Sequence, residues 1–123
     1  MILMALLACG PGNVTVSSDA PFCSNWDFDD PADPALEIEA SSTQITATRV
    51  GVYAACDAVF SPDISPDGEY IAIYEAWDEN EGEADCCFSP YVQLDMERGG
   101  KFTIDWFAEG ENSPTHSREV DNR

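Results

Sequence analysis

Asp67-Gly68-Glu69-Tyr70-Ile71-Ala72-Ile73-Tyr74 is the stretch that decides the fold. Tyr70 to Tyr74 consists of aromatic and β-branched residues around one alanine, the composition that suits a pleated, half-buried surface. The Asp-Gly pair ahead of it is a turn signal. Moving outward, the same short alternation recurs and no long segment keeps a helical period. Towards the N-terminus, Gly51 and the Ser61-Pro62 break bound a segment with Val52, Ala54, Cys56, Ala58 and Phe60 on one strand face; its alanines also suit a short helix, but the boundaries favour strand. Ile45 to Val50 is β-branched, and Leu36, Ile38 and Ala40 alternate with Glu37 and Glu39, so the two predict a hairpin turning at Ser41 to Thr43. Pro21 to Pro34 reads as an acidic loop with Phe22, Trp26 and Phe28 as anchors, and Val14 and Val16 open a first strand.

Towards the C-terminus, Pro90 precedes Tyr91 to Met96, where Val92, Leu94 and Met96 share a face. Gly99-Gly100 then turns into Phe102, Ile104 and Trp106. Past Phe107 the apolar residues almost cease, and 108–123 reads as a disordered acidic tail. About seven short strands separated by turn signals predict an all-β chain, a small antiparallel β-sandwich over 14–107.

The chain has 123 residues, room for one domain, and sets 24 acidic residues against 5 basic ones for a formal charge of -19. Such a surface repels nucleic acid and anionic headgroups. The partners it admits are cationic: divalent metals, basic proteins or basic peptides. The simpler reading of the same surface is a solubility adaptation to salty surroundings.

Ile2 to Ala8 is an apolar run ending at Cys9-Gly10. It is far shorter than the roughly 20 residues a membrane-spanning helix needs. Leu6-Leu7-Ala8-Cys9 resembles the lipobox of bacterial lipoproteins, in which the cysteine is acylated and becomes the mature N-terminus. The resemblance implies a leader over 1–8, lipidation of Cys9, a spacer over 9–13 and membrane attachment through the lipid. Gly10 after the cysteine implies sorting to the outer membrane. The leader lacks the basic segment such signals carry, as expected if the start lies downstream of the true one. The rival is a buried strand beginning at Met1.

Setting Cys9 aside leaves Cys23, Cys56, Cys86 and Cys87, an even set that an exported protein uses for disulfides. Bonding the neighbours Cys86 and Cys87 to each other needs a strained peptide, so Cys23 and Cys56 are expected to tie separately to that pair. Each bridge is expected to add ~2–4 kcal/mol. The rival is a soft-metal site at the vicinal pair with His116, whose spacing fits zinc patterns poorly.

Phe60-Ser61-Pro62-Asp63-Ile64-Ser65-Pro66-Asp67-Gly68-Glu69-Tyr70, continuing to Trp77-Asp78-Glu79-Asn80-Glu81-Gly82, is similar to the strand pair and acidic turn of polycystic-kidney-disease and related Ig-like modules. Trp26-Asp27-Phe28-Asp29-Asp30 echoes their Trp-Asp motif but lacks its glycines. The resemblance implies an extracellular Ig-like sandwich, a corner locked by the Tyr70 hydroxyl and Trp77 packed on a disulfide.

For chemistry, His116 is the single histidine and falls in the expected tail, which argues against nucleophilic catalysis. A carboxylate pair remains available, but so short a chain leaves little room for a cleft. Calcium is the better chemical expectation, because loops of Asp, Asn and Glu supply the oxygens a hard cation takes. The candidates are Asp27, Asp29 and Asp30 (with Asn25 and Asp33), and Asp78, Asn80 and Glu83 (with Glu81 and Asp85), without EF-hand spacing. The expected function is a lipid-anchored, non-enzymatic binding or structural module of the cell envelope, at the outer membrane or outside the cell. Its contact patch is expected at Phe22, Trp26 and Phe28, against an envelope protein or a cationic protein. The alternatives are an acidic inhibitor or decoy of a cationic protein, and a calcium-braced surface module.

Overall fold

A computed structural model of the chain describes residues 13–23, 35–78 and 85–122. These carry twelve strands and no helix: β1 (Val14–Asp19), β2 (Ala35–Ser41), β3 (Gln44–Val50), β4 (Val52–Ala55), β5 (Val59–Phe60), β6 (Asp63–Asp67), β7 (Tyr70–Tyr74), β8 (Trp77–Asp78), β9 (Asp85–Phe88), β10 (Tyr91–Met96), β11 (Lys101–Phe107) and β12 (His116–Asp121).

The alternation read from the sequence becomes two facing four-stranded sheets, ordered β1-β10-β3-β2 and β12-β11-β7-β6. The β2–β3 hairpin forms as expected, with Ser41 paired to Gln44 across its turn. In the first sheet Ile45 lies opposite Leu94 and Ala47 opposite Val92, all fully buried. In the second, Ile71 and Ile73 of β7 stand beside Ile104 and Trp106 of β11. These inward rows, with Leu36, Met96, Phe102 and Val120, form one apolar core between the sheets. The chain is thus a small all-β sandwich.

The turn ahead of β7 works as its composition suggests. Asp67 pairs with Tyr70, leaving Gly68 and Glu69 as a two-residue loop, and Gly68 takes φ +62°. A positive φ at the first loop position is the type II′ requirement that glycine meets without steric cost.

Three expectations are corrected. The sheets are antiparallel except for one pair, since β7 runs parallel to β11. The 51–60 segment is two strands broken by a turn at Cys56 and Asp57. The acidic tail expected to be disordered contains β12, which pairs along β11 from Lys101↔Asp121 to Trp106↔His116. Val120 is buried, and Asn122 closes the end: its amide donates to the Gly100 carbonyl at 2.9 Å, and the Gly100 amide donates to its Oδ1 at 2.8 Å. Those backbone and cap bonds hold the segment without a rich apolar pattern.

Two short ribbons, β4-β9 and β5-β8, complete the fold. They enclose a second apolar cluster of Ala54, Cys86 and Phe88, against which Trp77, Cys56, Ala58 and Ala20 pack. Disulfides join Cys23 to Cys87 and Cys56 to Cys86, with Cα–Cα separations of 5.4 and 4.9 Å. Cys86 and Cys87 are consecutive on β9, so their side chains leave opposite faces of the strand and each reaches a different partner. An aromatic series then joins this cluster to the main core. Phe22 stacks on Phe88 at 5.1 Å, Phe88 meets Trp77 at 5.2 Å, Trp77 meets Phe60 at 5.1 Å, and Phe60 lies 6.3 Å from Trp106.

Candidate functional site

The inward rows do not stay apolar to their ends. On β3 the row Ile45, Ala47 continues to Arg49; on β7 the row Ile71, Ile73 continues just past the strand to Glu75; on β12 it reaches His116 opposite Trp106. The core of the sandwich therefore closes at one end with a charged cluster. Arg49 Nη1 donates to Glu75 Oε1 at 2.8 Å, with side chains only 12% and 4% exposed. The indole N–H of Trp106 donates to the same oxygen at 3.0 Å, and that of Trp77 to Oε2 at 3.0 Å. The Glu75 amide donates to the Phe107 carbonyl at 2.9 Å. A buried carboxylate is tolerable only when paired and saturated with donors, and Glu75 has a cation and two indoles.

His116 is half-buried beside this cluster. Burial, followed by the positive charges of Arg49 and Arg118, pushes its pKa below the ordinary value, with Glu75 opposing. His116 Nε2 and Arg49 Nε are sealed from solvent and find no hydrogen-bond partner among the described residues. This corrects the placement of His116 in a disordered tail: the residue lies on β12, paired opposite Trp106.

Above the cluster lies an open groove of about 290 Å³, lined among others by Arg49, Tyr53, Glu75, Trp77 and Glu109. The amide of Trp77 donates to Glu109 Oε2 at 2.7 Å, which ties the 108–115 connection to β8. At that size the groove sits at the bottom of the range for small-molecule pockets and fits a side chain better than a cofactor.

The sequence-derived candidates fall as follows. Cys23, Cys56, Cys86 and Cys87 all lie in disulfides, which overturns the soft-metal reading, because a bonded sulfur has no thiolate to offer. Phe22 is 57% exposed and stacked on Phe88, while Trp26 and Phe28 lie outside the described residues. Asp78 sits exposed on β8 opposite Val59. Asp27, Asp29, Asp30, Asn80 and Glu83 are outside the described residues, as are Asn25, Asp33, Glu81 and Cys9, and the Asp85 side chain is likewise not described. Among the described residues no three His, Cys, Asp or Glu side chains gather to hold a metal ion, and no helix is long and apolar enough to cross a membrane. Trp77 packs against the cluster of Ala54, Cys86 and Phe88. The Tyr70 hydroxyl instead donates to Asp105 Oδ2 at 2.8 Å on β11, two strands of the same sheet, rather than locking a corner.

Sequence reasoning passed over the Arg49–Glu75–His116 cluster. The available signal was the period of two carried past the apolar residues, which points each of these side chains inward.

Fold and site together define a disulfide-braced β-sandwich with a polar plug at one end of its core. No family model matches the chain, and neither curated proteins nor solved structures give a match.

Proposed function

We propose that the chain is an exported, non-enzymatic binding module of the cell envelope, held at the outer membrane by a lipid on Cys9. The observation that supports it most is the double bridge from β9, Cys23–Cys87 and Cys56–Cys86. Disulfides persist in oxidising compartments and are rare in the cytosol, so a chain this small with two of them belongs outside it. The lipobox-like Leu6-Leu7-Ala8-Cys9 supplies the anchor, and Cys9 stands five residues ahead of Val14. Attachment so close to the domain confines it to the membrane face and raises its effective concentration towards neighbours there.

The reading as a binder rather than an enzyme rests on the site. The Nε2 of the single histidine is closed to solvent, so that atom reaches no substrate proton. Calcium bracing stays an alternative for the acidic loops.

Mass spectrometry of the protein from its native host, prepared without reductant, tests the proposal. The expected result is an acylated Cys9 at the N-terminus with Cys23 and Cys56 linked to the Cys86-Cys87 peptide. An unmodified Met1 with free thiols overturns both export and anchorage.

A further inference from the structure

The hairpin of β6 and β7 presents two tyrosine–aspartate pairs on the outer face of the second sheet. Ile71 and Ile73 point inward, so Tyr70, Ala72 and Tyr74 point outward. Their register partners on β6 are Asp67, Ser65 and Asp63 respectively, all three exposed. Tyr70 and Tyr74 are 37% and 41% exposed. On the other flank, β11 fixes both rings. Phe107 stacks on Tyr74 at a centroid distance of 4.7 Å, and Asp105 accepts the Tyr70 hydroxyl at 2.8 Å while also accepting the Ser117 hydroxyl. Rings held this way lose little freedom when a partner binds. Glu119 and Asp121 extend the acidic face along β12, and Lys101, paired opposite Asp121, is the one base in the outward rows of this sheet.

We propose that this face docks an extended basic segment of a partner protein, with lysine or arginine side chains four residues apart. Directly opposed residues of an antiparallel pair have Cβ atoms about 5 Å apart, so each aspartate stands beside a tyrosine ring. A cation settling there meets a carboxylate and a π face together. The two pairs are four residues apart along the strand, about 13 Å, which is the i to i+4 repeat of an extended chain. Ser65, opposite Ala72 between the two pairs, is small and exposed, while Ala72 is small and buried. The charge of -19 sets the sign of the partner. Docking uses the face and not the edge, because Pro66 in the edge strand β6 has no amide to donate to an added strand. The inference rests on the binding-module reading and gives it a surface and a partner class.

The test is an amide chemical-shift titration of the full-length, disulfide-bonded chain. The probe is a Ser/Thr peptide carrying lysines four residues apart; the control has the same composition with adjacent lysines. The expected result is shifts confined to β6, β7 and their neighbours on β11, with the spaced peptide roughly tenfold tighter and weakened by salt. Asp63→Asn with Asp67→Asn should weaken binding about tenfold with an unchanged melting temperature. Tyr74→Ala should weaken it about fivefold. Equal affinity for the two peptides, shifts spread over every acidic surface, or no effect of the double aspartate variant overturns the proposal. Such a failure leaves the thiol and lipid readouts of export standing, whereas free thiols in the host protein would overturn export without altering this titration.

Discussion

Glu75→Ala removes one acceptor from three donors at once and tests whether the charged plug holds the end of the core. Arg49 Nη1 loses a 2.8 Å partner and the indoles of Trp77 and Trp106 each lose one at 3.0 Å. Arg49 is only 12% exposed, so its charge is left with little water to replace the carboxylate. Breaking a buried pair from one side costs about 3–5 kcal/mol, and the stranded indoles are part of that penalty. At about 3–5 °C per kcal/mol for a domain of this size, the melting temperature should fall by roughly 10–25 °C. Circular dichroism melts and urea titrations on the oxidised protein measure this. The companion is Arg49→Met with Glu75→Leu, which removes both charges and fills similar volume. It keeps only the indole penalty, about 1–3 kcal/mol, and should be more stable than Glu75→Ala. A cost below about 1 kcal/mol for Glu75→Ala, or a double variant no better than the single, would refute the account of a desolvated, mutually dependent pair.

The remaining expectations concern the chain's closures. Paired replacement Cys56→Ser with Cys86→Ser opens a loop of sequence separation 30 and should cost about 3–4 kcal/mol in denaturant titrations of the oxidised protein. Gly99→Ala would drive a Cβ into the backbone oxygens of Asn122 and Ser42, neither of which can swing aside; a loss of about 1–3 kcal/mol is expected, and an unchanged midpoint would refute the close approach. The folded-state pKa of His116 is depressed, so its contribution is full above the unfolded value near 6.5 and is lost as pH falls from there through the folded value. His116→Gln should therefore flatten the stability–pH slope in that window, and an unaltered slope would show that the ring titrates alike in both states.

Much of the sandwich was readable because its strands are half-buried. The alternation of Leu36 to Ala40, Tyr91 to Met96 and Phe102 to Trp106 reflects one face in the core and one in water, which is what period-two reading detects. β12 was not readable in the same way: His116-Ser117-Arg118-Glu119-Val120-Asp121 offers one apolar side chain, and its place comes from the β11 ladder and the Asn122 cap. β9 escaped because Cys86, Cys87 and Phe88 are all buried, which erases the alternation. The parallel partnership of β7 and β11 is a property of topology that neither segment encodes alone. The polar plug was hidden by habit of reading charges as surface: Arg49 and Glu75 occupy inward positions of strand rows and are matched only across the two sheets. Why each vicinal cysteine takes its particular partner was also beyond the sequence, since the spacing of Cys23 and Cys56 admits both cross-pairings.

That choice of partner has a consequence for biogenesis. Because Cys86 and Cys87 leave opposite faces of β9, exchanging their partners would require the strand to slip by one residue against β4 and turn over. The slip would break the Ala54↔Cys86 register and carry Phe88 away from Trp77. Sulfur connectivity and strand registry are thus a single piece of information. An oxidase that joins the wrong thiols would also lock the strand one residue out of register with its faces exchanged, and a disulfide isomerase that reopens the bond gives the chain a second attempt at both.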